Sequence, residues 1–160
     1  MTVTTVSTTT TSASGASGAH ELIRSTWEVA RKNGSIAPKV LFRFIKAHPE
    51  YQKMFPAFAD VPQSQLLKNG NFLAQAYTIA AGLNVVIQSL GSQELLAQEL
   101  NHLGVTHFSR GAKPHMFEEF GKVFVSVLED ELGSRFTAEA KEAFAGGFRG
   151  LTAAIVKSLK

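Results

Sequence analysis

From His20 onward, apolar residues recur at three- and four-residue spacing along almost the whole chain. Leu22, Ile23, Trp27 and Ala30 form a first helical stripe, closed by Asn33-Gly34. Ser35 can cap a second helix with Pro38 in its first turn, whose face is Ala37, Val40, Leu41, Phe44 and Ile45. His48-Pro49 forces a break, because proline disfavours helical geometry in the residue before it and suits the start of the next helix. The following piece, Glu50–Phe58, is short and ends in Phe55-Pro56-Ala57-Phe58. Two Phe residues beside a Pro are unexpected in a connector that only faces solvent.

Asp60-Val61-Pro62 predicts a loop or a single turn, and a long helix follows. Its face is Phe72, Ala76, Ile79, Ala80, Leu83, Val86, Ile87 and Leu90, and Gly91 stops it. Ser92 caps the next helix, in which Leu96, Leu100, Leu103 and His107 stand at i, i+4, i+7 and i+11. One apolar face therefore ends in an imidazole. Ser109-Arg110-Gly111 stops that helix, and Pro114 opens another with Phe117, Phe120, Gly121, Phe124, Val127, Leu128 and Leu132, ending at Gly133. Phe136-Thr137 predicts a hydrophobic staple and N-cap for a last helix that buries Phe144, Phe148, Leu151 and Ile155. No segment sustains period-two alternation and no internal repeat is visible, so the pattern predicts an all-α fold.

Composition narrows this reading. The chain has 160 residues, 44% of them apolar, enough for one domain with a core. Residues 1–18 are mostly Thr, Ser, Gly and Ala with no charged side chain, a composition that predicts a flexible tail ahead of a domain at 19–160. That tail lacks the basic start and apolar run of a secretory signal, and no later segment has the uninterrupted apolar length to span a bilayer. The expected location is the cytoplasm. The absence of Cys excludes disulfides, thiolate ligands and a cysteine nucleophile. A net charge of +3 without a basic run argues against a nucleic-acid partner. Twelve Phe against two Tyr and one Trp suits a dry core or a flat apolar ligand.

Candidate chemistry is sparse. No two histidines have zinc-site spacing, and no Ser-His-Asp or paired-carboxylate arrangement stands out. His48 can cap the short helix after Pro49, His102 falls off the His107 face, and His115 sits in the first turn of a helix, a poor place for a cation. His107 by itself reads as a core residue or a capped helix end more readily than as a ligand. Gly146-Gly147, costly within a helix by about 1 kcal/mol per Gly relative to Ala, marks either a tight helix contact or a bend. Ala37 and Ala76 are small enough for two helices to cross closely.

The order of helices, the Phe-Pro-Ala-Phe connector and the single histidine that ends a helix face together resemble the globin family. The resemblance runs from about Leu22 to Leu159. It rests on Trp27 in the first helix, Pro49 opening the short third one, Phe55 and Phe58 in the connector, and His107 within Leu-x-x-x-His-x-x-x-Gly. It implies a globin fold of about eight helices around a haem b, as in invertebrate-type intracellular haemoglobins. His107 is then the proximal iron ligand, its other ring nitrogen held by the Leu103 carbonyl with Thr106 as a helper. Phe55 stacks on the haem, and Phe58, Ile79, Leu103, Ala112, Phe117 and Phe120 surround it. Arg110 pairs with a propionate or, equally well, is a solvated loop charge.

Matching Phe72–Ala76 to the family places Gln75 at the distal position, where many globins carry His, with Leu41 closing the pocket beside the gas. Without the family match, Gln75 reads as a solvent-facing polar residue. As a distal residue it would donate an amide N–H to dioxygen, with no protonation change across pH. A Gln in place of a good iron ligand implies five-coordinate ferrous haem, and Leu41 in place of a Tyr implies ordinary oxygen retention. Thr78 stands where many globins use a basic residue for a propionate. The expected function is reversible dioxygen binding for storage or transport, not enzymatic turnover, in a monomer or homodimer with diatomic gases as partners. The alternatives are a nitric oxide dioxygenase or peroxidase, a gas sensor, and a haem-free helical interaction domain.

Overall fold

The computed structural model describes residues 11–158. Six α-helices follow in order: α1 (Thr11–Arg31), α2 (Ile36–Ala47), α3 (Gly70–Gln88), α4 (Gln93–Ser109), α5 (Pro114–Leu132) and α6 (Ala138–Lys157). Three 3-10 segments, Pro49–Met54, Gln63–Lys68 and Gly133–Arg135, fill the connections, and no strand occurs among the described residues. The all-α expectation holds.

Helix boundaries follow local chemistry, with several departures from expectation. Thr137 accepts the Ala140 backbone N–H at 3.1 Å, as its position ahead of α6 predicts. The staple differs in its partner, because Phe136 packs against the Phe144 ring at 6.0 Å, two turns into the helix. Ser35 makes no cap. Its backbone is already helical, at φ −82° and ψ −14°, and its hydroxyl is bonded to Asn33 Oδ1 at 2.7 Å. Ser92 has no side-chain cap bond either, whereas Asn69 Oδ1 accepts the Phe72 N–H at 3.0 Å and starts α3. The 1–18 segment is helical from Thr11, which shortens the expected tail; residues 1–10 lie outside the described residues. Once Leu22, Ile23 and Trp27 anchor α1, adding a turn gains a hydrogen bond for each residue ordered without a second nucleation.

Burial divides into three apolar clusters. The largest joins α1, α2, α5 and α6 through Trp27, Val40, Phe124, Leu128 and Phe144, and the Trp27 indole donates to Asn84 Oδ1 at 2.9 Å. A second holds α3 on α2 and on the connector through Leu41, Ile45, Phe58, Leu66, Phe72 and Ala76. The third is small, Val86, Leu100 and Ile155, and seats α4 on α6. Ala76 belongs to the second cluster and Ala37 packs against it, so both small residues lie where α2 and α3 come together. Lys39–Glu131 and Arg43–Asp130 ion pairs tie α2 to α5 at the surface, each worth at most about 1 kcal/mol.

The expectation that no segment could span a bilayer needs one correction. By length and composition α3 is long and apolar enough, and it carries no charged residue. Inside this fold that apolarity serves contacts with α1, α2 and α4, with Phe72, Ala76, Val86 and Ile87 buried.

Gly146 and Gly147 are not the tight contacts. A Cβ at Gly147 would meet only Ile23 at 3.4 Å, whereas one at Gly121 would lie 2.8 Å from the Phe148 ring. At Gly104 a Cβ would collide with Ser158 of α6. We expect Gly121→Ala to destabilise the protein by about 1–3 kcal/mol through overpacking. Gly82→Ala, mid-helix with nothing within 4 Å of its Cβ, should stabilise it by about 0.5–1 kcal/mol. Urea unfolding of both variants checks the pair.

Candidate functional site

Helix α4 presents two adjacent stripes. Leu100 and Gly104 are buried, and Gly104 lies against Ser158 and Ile155 of α6. Leu103 and His107, each three residues further on, sit about 60° around the helix, Leu103 half-buried and His107 exposed. The apolar face read as one stripe thus splits: Leu96 and Leu100 belong to the packing with α6, and the imidazole looks elsewhere.

The end of α4 is held by a Schellman motif. The Gly111 N–H donates to Phe108 O at 3.1 Å and the Ala112 N–H to His107 O at 3.0 Å, while Gly111 takes φ +91°. The His107 carbonyl is therefore tied into the turn, and its ring is fixed separately. Nδ1 lies 2.8 Å from Leu103 O, and a carbonyl oxygen only accepts, so Nδ1 carries the hydrogen. Nε2 keeps its lone pair. Thr106 Oγ1 donates to the same carbonyl at 3.1 Å and to His102 O at 3.0 Å, so both donors foreseen for Leu103 O are present.

Burial pushes the His107 pKa below 6.5, and the nearby positive charge of Arg110 pushes it the same way, against the opposing bond to Leu103. The side chain is nonetheless exposed to solvent, so the desolvation comes from the neighbours packed on one side of the ring. It is neutral at pH 7. Its ring packs 5.3 Å from Phe117, and Phe117 meets Phe108 edge-on at 5.9 Å. His107, Leu103 and Phe117 are thus one local group, with Arg110 exposed and Ala112 half-buried at its border.

A second group gathers on α2, α3 and the connector. Phe55 and Phe58 stack at 5.1 Å and 13°, and Phe58 in turn meets Phe72 edge-on at 5.5 Å. Phe58 is buried beneath its neighbour, leaving Phe55 as the half-buried outer ring. Leu41 and Ile79 share a cavity of about 80 Å³ with Trp27, Ala76, Leu83 and Phe124. Gln75 is half-buried on α3, one turn before Ile79. Phe120 falls in neither group; it packs in the main core against Phe44 at 5.4 Å and against Phe124 and Phe148 at 6.4 Å. One residue escaped the sequence reading. Gln52 donates to Phe58 O at 2.9 Å and to Val61 O at 2.7 Å, fixing the connector, and no pattern distinguishes it from a surface Gln.

The other polar side chains are engaged elsewhere. Thr78 donates to Ala74 O at 2.9 Å. His48 gives the short helix no cap bond; its ring stacks on Tyr51 at 4.9 Å, between Glu50 and Glu119. Tyr51 donates to Glu119 at 2.6 Å, and that bond pushes its pKa up to about 12. His102 and His115 are exposed. Among the described residues no cluster of three or more His, Asp or Glu side chains could hold a metal ion.

Among the described residues, six α-helices carry one imidazole, His107, whose Nδ1 is held by its own helix and whose ring lies beside the half-buried Leu103 and Phe117. The globin family model matches residues 38–155, and the chain belongs to the globin family. It is 27% identical over 140 residues to the myoglobin of Galeorhinus galeus, covering 86% of this chain and 92% of that one. Its fold matches the hexa-coordinate hemoglobin of Drosophila melanogaster with a TM-score of 0.79 and 26% identity, over 88% of this chain and 93% of that one. It also matches a hexacoordinated heme protein from an anhydrobiotic tardigrade at TM-score 0.80, with 20% identity and 88% and 92% coverage.

A depressed histidine pKa has a defined sign for stability. Below about pH 6.5 the unfolded chain binds a proton at His107 that the folded chain resists, so stability falls as pH drops through that window and is fully present above it. NMR titration of the imidazole should give a midpoint below 6.5, and His107→Phe should remove this part of the pH dependence of urea unfolding.

Proposed function

We propose that this chain binds haem b through His107 Nε2 and takes up dioxygen reversibly, with Gln75 as the polar residue on the opposite side. The observation that carries it is the neutral imidazole, its Nδ1 bonded to Leu103 O at 2.8 Å and its Nε2 lone pair free. The donor set fits a group that needs one nitrogen ligand and a flat apolar bed. Phe55, Ile79, Leu103 and Phe117 are all large apolar side chains left half-buried. When bound, the haem supplies a ferrous iron that takes up a diatomic gas.

In this reading each residue has a separate task. The Leu103 carbonyl fixes the tautomer and orientation of His107 and raises its basicity as a ligand. Phe55, held by its stack on Phe58, presents a ring face to the porphyrin. Leu41 and Ile79 wall the side where gas sits, and Gln75 donates its amide N–H there. Arg110, exposed and close to His107 in sequence, would pair with a propionate, and Ala112 and Phe117 would border the ring edge; Phe120, expected beside the haem, is instead taken up by the main core. An amide is a poor ligand for iron, which supports a five-coordinate ferrous state. The Gln75 amide also does not titrate, so it cannot act as a general acid or base, which favours gas binding over peroxidase chemistry. We infer a cytoplasmic storage or transport role.

Absorption spectroscopy of the purified chain tests the reading. We expect a Soret band, a five-coordinate ferrous spectrum and a stable oxy form; a six-coordinate ferrous spectrum would overturn the coordination. His107→Gly should lose haem retention, with free imidazole restoring it. Removing one hydrogen bond of about 1–1.5 kcal/mol in Gln75→Leu should raise dioxygen dissociation about 5–10-fold, measured by stopped flow.

A further inference from the structure

An asparagine amide is open to attack by the next backbone nitrogen when the next residue is glycine, which has no Cβ to crowd the five-membered ring that forms. The chain holds two such pairs, Asn33-Gly34 in the turn between α1 and α2 and Asn69-Gly70 at the start of α3. Their settings differ. Asn33, Gly34 and Ser35 are all exposed, and a Cβ at Gly34 would meet nothing within 4 Å. The Asn33 carbonyl Oδ1 accepts the Ser35 backbone N–H at 3.1 Å and the Ser35 hydroxyl at 2.7 Å, and Nδ2 donates to Glu131 Oε2 at 3.3 Å. Asn69 is half-buried, and its Oδ1 accepts the N–H of the buried Phe72 at 3.0 Å as the cap of α3.

We propose that Asn33 is a site of self-modification, converting without an enzyme through a succinimide to aspartate or isoaspartate, while Asn69 is protected. The Gly34 nitrogen bonds to Asn33 Cγ, and the oxyanion that develops on Oδ1 meets the two Ser35 donors already in place. The Cγ–Nδ2 bond then breaks. The nitrogen leaves as ammonia, its third hydrogen replacing, through solvent, the one that Gly34 gave up. Water opens the ring at either carbonyl. Opening at Cγ leaves an aspartate side chain on an ordinary backbone; opening at the backbone carbonyl leaves isoaspartate, with a main chain one methylene longer. At Asn69 the same attack must first break the bond that caps α3 and shift Gly70, its first residue. The product changes what the turn holds. A carboxylate replaces the amide that donated to Glu131, setting like charges together beside the Lys39–Glu131 pair that ties α2 to α5. Gly34 O also accepts the Tyr77 hydroxyl at 3.0 Å, so an added methylene ahead of Gly34 displaces the turn from α3 as well.

Incubation of the full purified chain at mildly alkaline pH, followed by peptide mapping with mass spectrometry, tests this. The peptide bearing Asn33 should gain the mass of an amide-to-acid change and accept methyl groups from an isoaspartyl methyltransferase used as a probe. Its conversion should run at least about 5-fold faster than that of the peptide bearing Asn69, the rate equivalent of one helix cap. Equal rates at the two sites, or conversion at neither, overturn the proposal. Ser35→Ala keeps the backbone donor and removes the hydroxyl, and should slow conversion about 3–10-fold. An unchanged or faster rate overturns the part given to that hydroxyl. Asn33→Asp should lower the urea midpoint, and adding Glu131→Gln should restore it. An Asn33→Asp chain as stable as the parent overturns the coupling to α5. These readouts are independent of haem.

Discussion

The bond from His107 Nδ1 to the Leu103 carbonyl, one helical turn back, is the constraint on which the site depends. Without it the ring is free in orientation and tautomer. With it, Nε2 is bare and aimed away from the helix that carries it. The bond works because α4 continues just far enough to place the ring past its last buried turn. The Schellman motif at Gly111 then takes the His107 carbonyl into the helix terminus. Backbone and side chain of the same residue are thereby fixed by separate partners. Burial keeps the ring neutral, and the Arg110 charge beside it acts in the same direction.

The rest of the molecule holds α4 in place while leaving its His107 side open. Gly104 allows α4 to approach α6 at Ser158 and Ile155, so α4 is seated on α6 by its Leu100–Gly104 stripe. Helix α3 is seated separately, on α2 and the connector, through Phe72, Ala76 and Leu41. The two helices share the small third cluster through Val86 and Leu100 but are otherwise anchored on different partners. Phe55, Ile79, Leu103 and Phe117 stay half-buried between these anchorages. In a protein of this size, leaving several large apolar side chains partly uncovered sacrifices about 1 kcal/mol or more for each, a cost expected where a ligand supplies the missing contacts.

The connector after α2 shows how little sequence is needed to place a ring. Pro49 starts a 3-10 turn, Gln52 bonds the Phe58 and Val61 carbonyls, and Phe58 goes under while Phe55 stays above. Loops with buried carbonyls need such donors, since an unpaired buried carbonyl is costly. The same economy appears at α3, where one uncharged helix serves α1, α2 and α4.

The all-helical class, the helix order, the place of Ala37 and Ala76 between α2 and α3, and the His107–Leu103 geometry were legible from sequence alone. Each follows from local spacing: periodicity of 3.6, proline and glycine as terminators, and an i to i+4 relation between a ring and a carbonyl. Caps were less legible. Ser35 and Ser92 have the right residue type, but Asn33 and the local backbone decide where a hydroxyl turns. Tertiary structure alone decided which half of the α4 stripe is buried, that Phe58 lies under Phe55, that Phe120 belongs to the main core, and that Gly104 and Gly121, not Gly146 and Gly147, are the close contacts. Those outcomes depend on what another helix brings to the same place, and spacing along one chain segment carries no record of its neighbour.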